Sequence, residues 1–261
     1  MADWSAWIGR TQAQDDVLTP GLLARFRATL DSAATGDVAA QGVHWCLCLP
    51  DAPTSGLGAD GHPRRNDSPE SFLPPVPLPR RMWASSKVEF IAPISSGASI
   101  ARQSRVAAIT EKSGSTGTLV FVDIDHETHA NGTLAIRELQ TVVYREATTA
   151  APAPSPADAA PDLANWQWHR PMQPAEPLLF RYSALTFNSH RIHYDLPYAV
   201  EEERYRGLVV HGPLMATLLL DLAARELGDN HLSRFAFRGQ SPAFAGEPLH
   251  LVGKAEGDEI K

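Results

Sequence analysis

The run GPLMATLLLDLAAREL, residues 212–227, reads as a helix with almost no face to give to water. Leu214, Met215, Leu218, Leu219, Leu220, Leu222 and Ala223 point in nearly every direction around a 3.6-residue turn, so the protein must wrap this helix rather than rest it on a surface. Pro213 suits the first turn, where its missing N–H would have no partner anyway, and Gly228 supplies a stop. The start at His211-Gly212 leaves backbone N–H groups and the positive end of the helix dipole free for an anion or a developing oxyanion. Upstream, Leu178 to Leu185 alternates well enough to predict a strand, and Asn188 to His193 is a polar loop crowded with titratable groups.

The remainder of the chain supplies sheets to do the wrapping. Val17 to Leu30 carries a Thr cap, an early Pro and helical spacing, and so predicts a first helix. His44 to Leu49 reads as a short strand. Residues 51–79, dominated by Pro, Gly, Ser and Asp, form a long excursion that is a candidate cover for a substrate entrance. Strands are expected at Lys87 to Ala92 and Ile100 to Ile109. Leu119 to Glu127 and Thr133 to Arg145 are expected to join as a hairpin through Asn131-Gly132. Residues 147–165 include TTAAPAPSPADAAPD, which cannot build a core and predicts a linker between an N-terminal unit, 1–146, and a C-terminal unit, 166–261. The second unit adds a helical patch near Pro197 to Arg204 and strands near Leu232 to Gly239 and Pro248 to Gly253. Helix plus antiparallel strands, twice over, indicates α+β.

A formal charge of -7 over 261 residues, with no basic stripe, excludes a general nucleic-acid binder. Cys46 and Cys48 are spaced like neighbours on one strand face, which suits neither a disulfide nor a zinc site and fits a reducing compartment. The N-terminus lacks a secretory pattern, and the most apolar run, near Leu208 to Ala224, is broken by His211, Pro213 and Asp221. No membrane association is expected, and a cytoplasmic protein is.

The residues Asn188-Ser189-His190-Arg191-Ile192-His193-Tyr194-Asp195, followed by His211-Gly212, resemble the R-specific enoyl-thioester hydratases and dehydratases, the MaoC-like family of the hotdog fold. That family's motif runs roughly D-x-N-P-x-H-x-D ahead of an H-G step. The form here is most similar to the two-hotdog branch that holds the mesaconyl-C4-CoA (3-methylfumaryl-CoA) hydratases and the type 2 hydroxyacyl-thioester dehydratases. Pro77 to Trp83 and the Asn-Gly hairpin resemble the non-catalytic N-terminal half of that branch. The resemblance implies a double hotdog, each half a sheet around a central helix. It also implies one or two strands beyond Lys261, so the expectation is that either the C-terminal hotdog is truncated or its sheet closes differently.

By position the resemblance makes His193 the acid-base residue and Gly212 the N–H donor to the thioester oxygen. Asn188 stands where the family has an Asp; an amide is no base at neutral pH, so its expected part is to orient the water. Substrate contacts are expected from Ser189, His190, Arg191, Tyr194, Asp195 and His211, with Arg191 a candidate for a second carboxylate and Asp195 a buttress of the loop. Arg80, Arg81, Arg204 and Arg206 are candidates for CoA phosphates. The implied reaction is addition of water to a short-chain enoyl-CoA thioester, or its reversal from a 3-hydroxyacyl-CoA, with CoA as part of the substrate and no cofactor. Rival readings are a 3-hydroxyacyl-carrier-protein dehydratase, a thioesterase, a non-catalytic acyl-thioester binding module and a structural partner subunit. Pairing into a homodimer is a further expectation.

Two patterns carry no site. Gly56-Leu57-Gly58-Ala59-Asp60-Gly61 satisfies G-x-G-x-x-G, but a Pro-rich loop follows instead of a helix. Asp123, Asp125, Glu127 and His129 share a strand face beside a turn and read as solvated, so no metal is expected. His44, His62, His126, His169, His231 and His250 have no partner identifiable from the sequence.

Overall fold

The computed structural model describes residues 3–114, 117–147 and 162–261, so the linker expected at 147–165 falls largely outside the described residues. Strand β1 (Thr11–Val17) leads into helix α1 (Pro20–Leu30), which is capped as its sequence predicts: the Thr19 hydroxyl accepts the Leu22 N–H at 3.1 Å. After the excursion come β2 (Arg80–Phe90), β3 (Ser99–Gly114), β4 (Gly117–Ala130) and β5 (Thr133–Arg145). The C-terminal part contributes β6 (Trp168–Met172), α2 (Glu176–Leu185), α3 (Gly212–Leu227), β7 (Arg234–Arg238), β8 (Leu249–Gly253), β9 (Ala255–Glu256) and β10 (Glu259–Ile260).

Six strands form one antiparallel sheet in the order β1-β3-β4-β5-β2-β7. Its last member comes from the second half of the chain, with Ser85 opposite Arg238 and Glu89 opposite Arg234, so both halves contribute to one sheet. Two further pairs, β6 with β8 and β9 with β10, complete the strands among the described residues. The turn from β4 to β5 is the expected one: Asn131 and Gly132 both have positive φ, 49° and 79°, as a two-residue hairpin of this hand requires.

The helix α3 is enclosed, with Leu214, Ala216, Thr217, Leu218, Leu220, Leu222 and Ala223 buried. It shares one continuous core with Leu23, Phe26 and Leu30 of α1, Val88 of β2, Ile136 of β5 and Leu251 of β8. A second cluster, on Val106, Val120, Val122 and Tyr144, takes in Val76 from the excursion. The excursion is thereby fastened to the sheet. Among the described residues no helix is long and apolar enough to cross a membrane.

Two local expectations are corrected. Leu178 to Leu185 lies in a helix, α2, because Leu179, Tyr182 and Leu185 recur every third residue on the buried side while Phe180 is exposed. His44 to Leu49 is a 3-10 turn at Val43–Cys46, entered through Gly42 at φ 97° and left through Cys48 at φ 52°. A run buried on every side has no period, so its apolar content alone did not distinguish a turn from a strand. Both cysteines are buried and free, and burial pushes the Cys46 thiol up to about 12. Strand β1 has no counterpart in the sequence reading, since TQAQDDV is a largely exposed edge strand without an apolar signal.

Candidate active site

The loop after α2 and the start of α3 bring His193 and Gly212 together through an intermediate, His211. The His193 and His211 rings stack with centroids 3.5 Å apart and planes 17° off parallel. Gly212 follows His211 directly and opens α3, so the His193 ring and the helix terminus lie on either side of His211. His193 is buried, and its Nδ1–H donates to the Val209 carbonyl at 2.7 Å. A carbonyl can only accept, which fixes the tautomer and leaves the Nε2 lone pair as the basic atom. His211 is almost fully enclosed; its Nε2 meets the Ser183 hydroxyl at 2.8 Å, while Nδ1 is buried with no partner among the described residues. Ser183 reaches it because α2 is a helix.

The Gly212 N–H has no hydrogen-bond partner among the described residues, and His211 as the cap residue makes no side-chain bond to it. A Cβ built on Gly212 would meet nothing within 4 Å. The end of the helix therefore opens onto free space, and an oxygen can approach it.

On the other side, the row of imidazoles continues. The His190 ring stands edge-on to His193 at 5.6 Å, and His62, from the excursion, lies over His190 at 4.0 Å. The His62 Nδ1 meets the Asp60 carboxylate at 3.0 Å. Burial would raise the Asp60 pKa, but the hydrogen bonds and charge of His62 outweigh it and hold this carboxyl below the usual range. Burial lowers all three inner histidines: His193 to about 4, aided by the charge of His62 and opposed by the Val209 bond; His190 to about 2; and His211 well below its ordinary value. At neutral pH these rings are uncharged, the state a base requires.

That shift has a measurable consequence. The acid limb of kcat/KM is expected near pH 4 rather than near 6.5, because the neutral His193 survives to lower pH. Stability moves the same way. A depressed pKa contributes stability above the unfolded value of 6.5 and loses it as pH falls through about 4, so Tm is expected to drop across that window. A pH-rate profile beside thermal melts checks both; an acid limb at 6.5 contradicts the buried neutral ring.

Other motif residues bind the loop to the excursion more than they face a substrate. The Asn188 Oδ1 accepts the His190 N–H at 2.9 Å, closing a turn and leaving the amide NH2 as its free group. The Ser189 hydroxyl donates to the Gly61 carbonyl at 2.6 Å. Arg191 holds Asp195 through two nitrogens, at 2.9 and 2.7 Å, donates to the Ala59 carbonyl at 2.9 Å, and lies 4.1 Å over the Tyr198 ring. Its guanidinium is occupied, and Asp195 buttresses the loop by also accepting the Tyr198 N–H. Tyr194 is exposed. Of the arginines expected near CoA, Arg80 pairs with Glu203 and Arg206 with Glu247.

Asp60, Gly61 and His62 are the part of the site that the sequence reading missed. Asp60 and Gly61 lie within the glycine pattern set aside as a decoy and His62 directly after it, and only the contact with the motif loop, some 130 positions on, reveals them. Asp60, His62 and His190 also present ligand-type atoms within 4.8 Å of one another. The His62 and His190 rings are tilted by 37° to one another, and Asp60 is engaged by His62 in a hydrogen-bonded pair. Among the remaining histidines, His169 meets His250 at 2.9 Å, His126 meets Ser104 at 2.7 Å, and His44 lies 3.5 Å from the buried Glu138.

Residues 42–245 match the family described as hydroxyacyl-thioester dehydratase type 2. The mesaconyl-C(4)-CoA hydratase of Chloroflexus aurantiacus is 44% identical over 268 aligned residues, which take in 99% of this chain and 91% of that protein. Among solved structures, a MaoC-like dehydratase superposes with a TM-score of 0.71 at 15% identity, covering 96% of this chain and 89% of its own. A conserved protein of Mycobacterium tuberculosis, described as having a double hotdog fold, superposes with a TM-score of 0.56 at 14% identity, covering 97% and 87%. The architecture in common is the double hotdog.

Proposed function

The chain belongs to the hydroxyacyl-thioester dehydratase type 2 family and is a hydro-lyase, and from that premise we propose that it hydrates mesaconyl-C4-CoA or a close relative of it, reversibly. The observation that supports this most is the 3.5 Å stack of His193 on His211, which puts a neutral imidazole next to the open N-terminus of α3. His193 Nε2 takes a proton from water as the water oxygen bonds to Cβ. The electron pair of the double bond moves toward the thioester, whose oxygen gains negative charge beside the Gly212 N–H. The proton then returns to Cα, and no atom is left over. Asn188, through its free NH2, is our candidate for holding the water oxygen.

The test is loss of enoyl-thioester absorbance when the protein is mixed with mesaconyl-C4-CoA and with crotonyl-CoA. Loss with either supports hydration, and the faster one ranks the acyl chain. No loss with either removes the CoA reading and favours a carrier-protein thioester.

Gly212→Ala probes the oxyanion role separately from folding. The added methyl meets nothing within 4 Å, and Ala is the better helix former, so Tm is expected to hold. The same methyl occupies the space through which the thioester oxygen would approach, and kcat is expected to fall by at least about tenfold. Unchanged turnover removes Gly212 from the mechanism. We also read the protein as cytoplasmic, in keeping with its free, buried cysteines.

A further inference from the structure

Beside the imidazole row lies a cavity of about 230 Å³ whose walls include Asp60, His62, Arg64, Arg65, Pro79 and Arg81. Its charge is lopsided. None of the three arginines takes part in an ion pair among the described residues, although Arg80, adjacent in sequence, and Arg191 and Arg206 all do. Arg65 spends its guanidinium on the carbonyls of Val76, Leu78 and Pro79, and the Arg64 Nε donates to the Leu57 carbonyl. The Arg81 side chain makes no hydrogen bond among the described residues, so its fork of donors is free. The Asp60 carboxylate, the one acid in the wall, is engaged by His62. Burial, and next the charge of Arg81, depress the Arg65 pKa against the opposing influence of Tyr144, Asp60 and Asp67.

We propose that this cavity receives the distal carboxylate of a dicarboxylic enoyl thioester, with Arg81 as the residue that binds it. The inference rests on the hydratase reading and sharpens it. In mesaconyl-C4-CoA the free carboxylate sits on Cβ, the carbon that water attacks, so its receptor must lie close to the base. His62 in the cavity wall is two ring steps from His193, of 4.0 and 5.6 Å. A guanidinium matches a carboxylate with two parallel N–H···O bonds, and neutralising that charge makes Cβ a better target for the attacking oxygen. Arg191, the natural candidate from the sequence, is occupied by Asp195 and Ala59 and leaves this part to Arg81.

A phosphate of CoA is the other anion that fits such a wall, and one experiment separates the two. Arg81→Gln is assayed with mesaconyl-C4-CoA and with crotonyl-CoA, which carries the same CoA but no distal carboxylate. The proposal expects kcat/KM to fall about a hundredfold for the first and less than about threefold for the second, with partial recovery in Arg81→Lys. Equal losses on both overturn it in favour of a phosphate, and unchanged rates on both overturn it outright. Calorimetric binding of the two thioesters, read alongside, does not depend on turnover. A wild-type protein that turns over neither, yet binds mesaconyl-C4-CoA more tightly than Arg81→Gln does, defeats the hydratase reading and leaves the carboxylate site standing.

Discussion

Replacing His193 with Gln is expected to lower kcat by about a thousandfold or more while leaving the protein folded. Removal of a positioned acid-base group typically costs two to four orders of magnitude, and no second imidazole is placed to take over. His190 is depressed to about 2 and stands edge-on at 5.6 Å, and His211 is enclosed behind the stack. Gln is close to His in volume, and its amide N–H can still reach the Val209 carbonyl that now accepts from Nδ1. Loss of a neutral buried ring that refuses a proton should also make the melt less sensitive to acid. The measurement is progress of thioester absorbance for both proteins, with circular dichroism as the folding control. Retention of a tenth of the wild-type rate places the base elsewhere.

Gly61→Ala is the second change with a large expected effect, and it acts from the half of the chain without the motif. Gly61 has φ +86°, and a Cβ there would press into the Ser189 carbonyl, a backbone group that cannot swing away. The strain is expected to cost about 2 kcal/mol in stability or to lift the excursion off the loop. Lifting it breaks the bonds from Ser189 to the Gly61 carbonyl and from the Arg191 N–H to the Asp60 carbonyl. A shift of 1 Å at His190 and His193 is worth about a hundredfold in rate. Turnover and thermal melts read the two effects separately: wild-type turnover with a lowered Tm would mean that the excursion braces the fold and not the site.

How much of this was legible in the sequence follows from what each feature depends on. The helix α3, its Gly-Pro start and the Asn131-Gly132 hairpin rest on local chemistry, and each stands where its residues put it. So does the loop that bears His193. The α2 helix was misread because EPLLFRYSAL alternates tolerably over a few residues, and only its buried side, Leu179, Tyr182 and Leu185, decides the period. Pairing of β7 with β2, and the seating of Asp60 to His62 on the motif, join segments more than a hundred positions apart. No local pattern encodes such contacts. Arg191 shows the same limit: its chemistry suited a substrate carboxylate, yet Asp195, four residues on, occupies it.

The row from His62 through His190 and His193 to His211 also bears on how the site handles protons. Burial first, and then charge on the neighbouring rings, makes a proton costly here: His193 and His190 each disfavour one on His211, and His62 and His193 each disfavour one on His190. Water arriving and water leaving present the row with the same task in opposite order. As with any catalyst, the equilibrium between enoyl and hydroxyacyl thioester, and not the site, decides which compound accumulates.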